Sequence, residues 1–280
     1  MKEDFQFDPV CGMQLSKEHS VQSQSGTPSF CSDFCKSRYE SNPERFKGTP
    51  FIQLKNIHKD FKLGEITVNV LRGFSMNIWK GDFVAIIGAS GSGKSTALNM
   101  LGLLDVPTSG HIFLDGQDVA KVSDDQRAAL RSSTFGFVFQ QYNLVPWLTA
   151  RENVTLPMLF SEKQRTEEEV DALFEKIGLK ERMIHRPVEL SGGEQQRTAL
   201  LRSLINDPKI IIGDEPTGNL DSKTGEAILN MLIDLNKKSG KTLIIVTHDE
   251  GIAEYADQVI VVKDGITVDG HKFHKRIYTE

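Results

Sequence analysis

The chain is poor in cysteine and has no long apolar run, and each shortage excludes something. It carries three cysteines in 280 residues, Cys11, Cys31 and Cys35, and all lie near the N-terminus, so no disulfide framework can span the chain. Thiols clustered this way in an otherwise cysteine-free sequence favour a metal or thiol role. No uninterrupted apolar stretch approaches the ~18 residues that suggest a membrane span. The N-terminus, Met1-Lys2-Glu3-Asp4-Phe5, lacks the basic and apolar regions of a secretory signal. These absences predict a cytoplasmic protein that serves any membrane process from outside the bilayer. A net charge of -5 gives no reason to expect a nucleic-acid partner.

With 39% hydrophobic and 25% charged residues, the chain can bury a sizeable core in one or two domains. Composition shifts through Ser41-Asn42-Pro43 and Lys47-Gly48-Thr49-Pro50, which places a boundary close to Gly48 and divides the chain into 1–48 and 49–280. After it, Phe51-Ile52-Gln53-Leu54 and Val68-Asn69-Val70-Leu71 predict short strands of an antiparallel edge. The apolar runs at 83–87, 135–139, 210–213, 242–247 and 258–262 predict buried parallel strands alternating with helices, an α/β core. Between Phe139 and Ile210 the pattern is helical. Thr166-Glu167-Glu168-Glu169 and Ser191-Gly192-Gly193-Glu194 are capping boxes, and residues 141–207 are expected to form an inserted helical subdomain.

Three segments carry chemistry. Gly88-Ala89-Ser90-Gly91-Ser92-Gly93-Lys94-Ser95 fits G-x-x-x-x-G-K-[ST] and lies between a predicted strand and a helix over 94–104. Its glycines let backbone N–H groups curl around a phosphate at a helix N-terminus. Lys94 adds a point charge for the β- and γ-phosphates, Ser95 a hydroxyl for Mg²⁺, and Thr96 a further phosphate contact. Ile210-Ile211-Ile212-Gly213-Asp214-Glu215 brings two carboxylates to a strand end, which assigns Asp214 to Mg²⁺ and Glu215 to the general base. Leu190-Ser191-Gly192-Gly193-Glu194-Gln195-Gln196-Arg197 opens a helix whose bare first turn, with the Ser191 hydroxyl and the N–H groups of Gly192 and Gly193, is a second anion site. One nucleotide does not need two such sites from one subunit, so the second points to the pocket of a partner molecule.

With these motifs in this order, residues 51–270 strongly resemble the ATP-binding cassette family, which implies a P-loop NTPase fold with an antiparallel edge and a helical insertion. The resemblance adds site residues. Gln140 matches the glutamine that joins the nucleotide and Mg²⁺ to the helical subdomain, and Gly218-Asn219-Leu220-Asp221 matches the loop crossing the dimer interface. His248 matches the switch histidine on the γ-phosphate, and Phe61 the aromatic that stacks on adenine. Val70-Leu71-Arg72-Gly73 and the runs at 98–105, 136–144 and 216–221 are similar to a subgroup including LolD, MacB and FtsE. The implied protein is a homodimeric Mg²⁺-dependent ATPase. Glu215, His248, Gln140 and Lys94 would be catalytic, and the dimer would drive an integral-membrane permease from the cytoplasmic face of the inner membrane. An ABC-type ATPase acting on ribosomes or DNA is the alternative, although such proteins usually carry two cassettes or coiled-coil insertions. A metal-responsive regulator is the other.

Asp8-Pro9-Val10-Cys11-Gly12-Met13, Phe30-Cys31-Ser32-Asp33-Phe34-Cys35 and Asn42-Pro43-Glu44-Arg45-Phe46 resemble the small YHS/TRASH-like domain of heavy-metal handling proteins. Cys31 and Cys35, four apart, are expected on one helical turn, with Cys11 brought in by a hairpin. Soft ligands of this kind favour Zn²⁺ or Cu⁺. Three cysteines leave a tetrahedral site one ligand short, and His19 is the sequence candidate for the fourth.

Overall fold

The apolar runs become the strands of a computed structural model that describes residues 6–15, 20–21 and 28–268. In chain order the N-terminal elements are α1 (Asp33–Ser41), α2 (Pro43–Phe46), β1 (Ile52–Leu63), β2 (Ile66–Ile78), β3 (Phe83–Ile87), α3 (Lys94–Leu101), β4 (Ser109–Leu114) and β5 (Gln117–Asp118). There follow α4 (Asp124–Thr134), β6 (Phe135–Phe139), α5 (Ala150–Thr155), α6 (Glu167–Lys176), α7 (Gly192–Leu204), β7 (Ile210–Asp214), α8 (Ser222–Ser239), β8 (Thr242–Val246), α9 (Glu250–Ala253), β9 (Gln258–Lys263) and β10 (Ile266–Val268). The chain divides into two compact units, Met1–Val122 with Val246–Glu280, and Ser123–Ile245.

The first unit contains an antiparallel sheet in the order β2-β1-β4-β5. β1 and β2 are longer than the sequence pattern predicts. They continue past the core as a ribbon closed by Gly64 at φ 62°, and the pattern fades there because Phe61, Leu63, Ile66 and Val68 are exposed. β4 and β5 carry no clear strand signal. Gly110 sits in β4 at φ 102°, where a Cβ would lie 2.3 Å from the Asn56 carbonyl oxygen, so close approach to β1 demands the residue that weakens strand propensity. β3 is buried throughout and pairs in parallel with β9, whereas β10 pairs antiparallel with β9. The core sheet is therefore mixed, as expected of the cassette fold.

Among the described N-terminal residues, Phe7 bridges Gln14 and Val21 bridges Phe30. The Cys11 carbonyl accepts from Asn77 N–H at 2.7 Å and the Val10 carbonyl from Trp79 Nε1 at 2.8 Å. Gly12, at φ 76°, presses against β2 so closely that a Cβ would lie 2.5 Å from Asn77 N. Phe46 meets Trp79 edge-on at 5.1 Å. Buried Asp82 takes Arg38 at 2.7 Å and also Arg45, while burial pushes its carboxyl up. Arg38 additionally donates to Gln258 at 3.0 Å. Arg38→Ala strips a buried carboxylate of one cation and is expected to cost about 2 kcal/mol. Urea unfolding of the variant measures it, and an unchanged midpoint would deny Arg38 that role.

The second unit orders its strands β8-β7-β6, with β6 and β7 parallel from Phe135 opposite Ile210 to Phe139 opposite Asp214. Its helices have their own core, in which Val154 of α5, Val170 and Phe174 of α6 and Leu201 of α7 are buried together with Leu179 and Leu190. The expected capping boxes at Thr166/Glu169 and Ser191/Glu194 are formed, and Ser123/Gln126 and Thr149/Glu152 form two more. The helix expected over 94–104 stops earlier, at Leu101, because Gly102 caps it and Leu103 turns to φ 54°.

Candidate functional site

In the first unit, β3 delivers the loop 88–95 to the start of α3. Gly88, Gly91 and Gly93 have φ of 154°, 76° and 105°, values that L side chains rarely adopt. A Cβ on Gly88 would lie 2.3 Å from the Val262 carbonyl oxygen, whereas one on Gly91 would meet nothing within 4 Å. One glycine is thus required by packing and the other leaves the mouth of the loop open. Gly265 N–H donates to the Ser92 carbonyl at 3.0 Å, clasping the loop from the β9–β10 turn. α3 begins at Gly93 with no side-chain cap, so its first N–H groups have no side-chain acceptor, and the buried Ser92 Oγ has no partner among the described residues. Lys94, almost buried, folds its Nζ onto the carbonyls of Gly88 and Ala89 at 2.8 and 2.9 Å. Bare amides, an orphaned hydroxyl and a tethered ammonium fit a phosphate chain. Ala89, Ser90 and Ser95 are exposed and Thr96 half-buried. Phe61 is exposed on β1, with Lys59 Nζ 4.9 Å from its ring centre, and His248 is exposed just beyond β8.

In the second unit, Asp214 ends β7 and Glu215 follows at φ 46°, a left-handed turn for a non-glycine residue. The turn closes with Gly218 N–H donating to the Glu215 carbonyl at 3.0 Å. A Cβ on Gly218 would lie 2.7 Å from Gln140 Nε2 and 3.4 Å from a Glu215 carboxylate oxygen, so Gln140 and Glu215 converge over a residue that must lack a side chain. Asn219 fixes Gln140, accepting from its Nε2 at 3.2 Å and donating to its carbonyl at 3.0 Å. The Gln140 side-chain amide oxygen takes no part in either bond. The hydroxyl of Ser95, the carboxylate of Asp214 and this amide are all hard oxygen donors, the chemistry Mg²⁺ takes.

α7 starts at Ser191, whose Oγ accepts from Glu194 N–H at 3.3 Å and donates to the Glu194 carboxylate at 2.9 Å. Arg182, then the Ser191 backbone, hold that carboxyl down at about 2, so the glutamate charge beside the helix N-terminus is already partnered. Gly193 faces Thr224, where a Cβ would lie 2.5 Å from the threonine methyl, and Gln196 donates to the Pro216 carbonyl. The start of α7 is thereby packed onto the segment that follows Glu215. Asp221 caps α8, accepting from Thr224 N–H at 3.1 Å, and the Thr224 hydrogen bond lowers its carboxyl.

The N-terminal cysteines form the third cluster. Cys31 Sγ lies 3.5 Å from both Cys11 Sγ and Cys35 Sγ, and all three thiols are buried. Cys11 sits in the turn between the bridged Phe7 and Gln14, as the hairpin expectation has it, and Cys35 lies on α1. Cys31, however, precedes the Ser32 cap, so the two do not share a helical turn. Hydrogen bonding to the Cys11 and then the Cys35 sulfur pulls the Cys31 thiol down, whereas the Cys11 and Cys35 thiols are pushed up. His19 lies outside the described residues.

Residues 71–218 match the model of the ABC transporter family. The chain belongs to that family. It is an ABC-type ATPase cassette, 46% identical to the Bacillus subtilis ABC transporter ATP-binding protein YknY over 216 residues, which are 76% of this chain and 94% of that one. It is 49% identical over 219 residues to the macrolide export ATP-binding/permease protein MacB of Syntrophobacter fumaroxidans, matching 77% of this chain and 31% of that protein. The cassette thus spans about a third of such MacB relatives. The dimeric post-hydrolysis structure of the cassette MJ0796 bound to ADP and Pi superposes with a TM-score of 0.72 at 44% identity, covering 77% of this chain and 96% of that chain.

Proposed function

We propose that the chain is the ATPase subunit of an ABC transporter, working as a homodimer on a separate membrane permease at the cytoplasmic face of the inner membrane. The observation that carries this is the clasped, glycine-shaped loop 88–95 with Lys94 held at its rim, in a chain of which 76% matches YknY over 94% of that protein's length. Support for two copies comes from the dimeric MJ0796 cassette, and for a permease from the MacB name. No described helix is long and apolar enough to cross a membrane.

Loop amides, Lys94 and Thr96 would bind the phosphates, Phe61 the adenine, and Ser95, Asp214 and Gln140 would hold Mg²⁺. Mg²⁺ would neutralise the phosphate charge. Glu215 would take the proton of the attacking water, His248 would touch the γ-phosphate, and the N-terminus of α7 with Ser191, Gly192 and Gly193 would close on the nucleotide of the second copy, with Asp221 at the interface. Opening and closing, passed through Gln140 and the helical insertion, would move the permease.

The buried trio Cys11, Cys31 and Cys35 would hold one thiophilic ion, Zn²⁺ or Cu⁺, as in the YHS/TRASH-like proteins it resembles. A second reading, metal-responsive control of the cassette, is favoured by the Cys11 carbonyl bonding to Asn77 of β2 at 2.7 Å.

Gel filtration of Glu215→Gln protein tests the dimer: monomer without nucleotide and dimer with ATP are expected, and a monomer under both conditions would sink it. Flotation tests the permease requirement. Protein expressed alone should stay off protein-free liposomes, and tight binding would contradict a permease-docked subunit.

A further inference from the structure

Three sulfurs leave a tetrahedral ion one donor short, and the structure brings a carboxylate to them. Asp8 is fully buried, and its oxygen and the Sγ atoms of Cys11, Cys31 and Cys35 all lie within 4.8 Å of one another. Asp8 Oδ1 accepts from the N–H groups of Val10 at 2.7 Å and Cys11 at 3.0 Å, and Oδ2 accepts from Cys31 N–H at 2.6 Å. One side chain therefore ties together both segments that present the thiols. A carboxylate offers about four lone-pair positions. Three are used, and the remaining one is on Oδ2. Among the described residues no cationic side chain pairs with this carboxylate, and a buried charge is costly unless it is paired or coordinates a metal.

Sulfur spacing suits a single shared ion. A tetrahedral ion with zinc–sulfur bonds of about 2.3 Å sets its sulfurs about 3.8 Å apart, whereas a planar three-sulfur centre with the same bonds needs about 4.0 Å. Both sulfur distances from Cys31 are 3.5 Å, and the three sulfurs lie within 4.8 Å of one another, close enough for one ion to reach all three. A carboxylate oxygen suits a borderline divalent ion better than a soft monovalent one.

We propose that Asp8 is the fourth donor of a Cys₃Asp tetrahedral centre for a divalent ion of the Zn²⁺ class, its oxygens oriented by three backbone N–H groups as metal-bound carboxylates commonly are. This rests on the metal reading above and names the donor and ion class which that reading leaves open.

The test uses the full-length reduced protein with Zn²⁺ alone as probe. X-ray absorption should show three sulfurs and one light-atom ligand. Infrared difference spectra of protein labelled with carbon-13 aspartate should show a carboxylate band that moves on loading. Asp8→Asn should abolish that band and weaken Zn²⁺ by at least about tenfold in chelator competition, the smallest loss seen even for outer-shell partners. Because that variant also loses the bond to Cys31 N–H, the infrared result on the wild-type protein decides independently of its folding. Unmoved aspartate bands in Zn²⁺-loaded wild-type protein, full Zn²⁺ affinity in Asp8→Asn, or binding of Cu⁺ but not Zn²⁺ would each overturn the Asp8 assignment while leaving a metal site. A wild-type protein that binds neither ion would overturn the metal reading as well.

Discussion

Glu215→Gln should retain ATP binding and slow steady-state turnover by about 10²- to 10⁴-fold, the range typical of a lost general base. The substitution is nearly isosteric, so the turn that positions the side chain should survive, since the Gly218 N–H bond at 3.0 Å goes to the Glu215 carbonyl and not to its carboxylate. Room over Gly218 is likewise kept, where Gln140 Nε2 and the Glu215 carboxylate crowd the same glycine. What disappears is a group able to accept a proton from water. Phosphate release and nucleotide-binding fluorescence on the same preparation separate the two effects, and wild-type turnover would remove Glu215 from the mechanism.

The second large effect belongs to binding. Lys94→Ala should weaken ATP by about 10- to 100-fold, because a hydrogen bond to a charged group contributes about 1.5–3 kcal/mol. In the structure this ammonium bonds the carbonyls of Gly88 and Ala89, so it lies at the rim of the loop, where a phosphate would compete with those carbonyls. Equilibrium titration with a fluorescent ATP analogue measures the loss, and a thermal melt without nucleotide shows whether the loop itself has collapsed. Unchanged affinity in a folded variant would contradict the role given to Lys94.

The elements that the sequence pattern locates to the residue are those that are mostly buried, Phe83–Ile87 throughout and Phe135–Phe139 except at half-buried Phe137 and Phe139. Phe83–Ile87 and Phe135–Phe139 are apolar runs bounded by turn residues, and both appear as strands over the same residues. Legibility falls where burial stops or backbone contact dominates, as in the exposed ribbon beyond Asp60 and in β4 around Gly110. In the site, the loop 88–95 is legible because glycine spacing encodes backbone angles directly, and φ is positive at Gly88, Gly91 and Gly93. Asn219 as the clamp on Gln140 and Arg182 as the partner of Glu194 depend on contacts 79 and 12 residues apart, for which no local pattern exists. Asp8 left a fainter local signal. An aspartate three residues before a cysteine in a Pro-containing turn is placed to accept the cysteine's own N–H, but its bond to Cys31 is a matter of tertiary structure.

The central claim is that each ATP is shared between two copies, and Ser191→Arg tests it most directly. Ser191 is exposed and its Oγ serves only the local capping box, so the substitution should cost about 1 kcal/mol of stability and leave the fold intact. A long cation at the start of α7 would instead enter the γ-phosphate position of the other copy. ATPase assays alongside ATP-binding titrations give the answer: binding to the monomer within about twofold of wild type with hydrolysis abolished is the expected result, and full hydrolysis by Ser191→Arg protein would contradict the shared site.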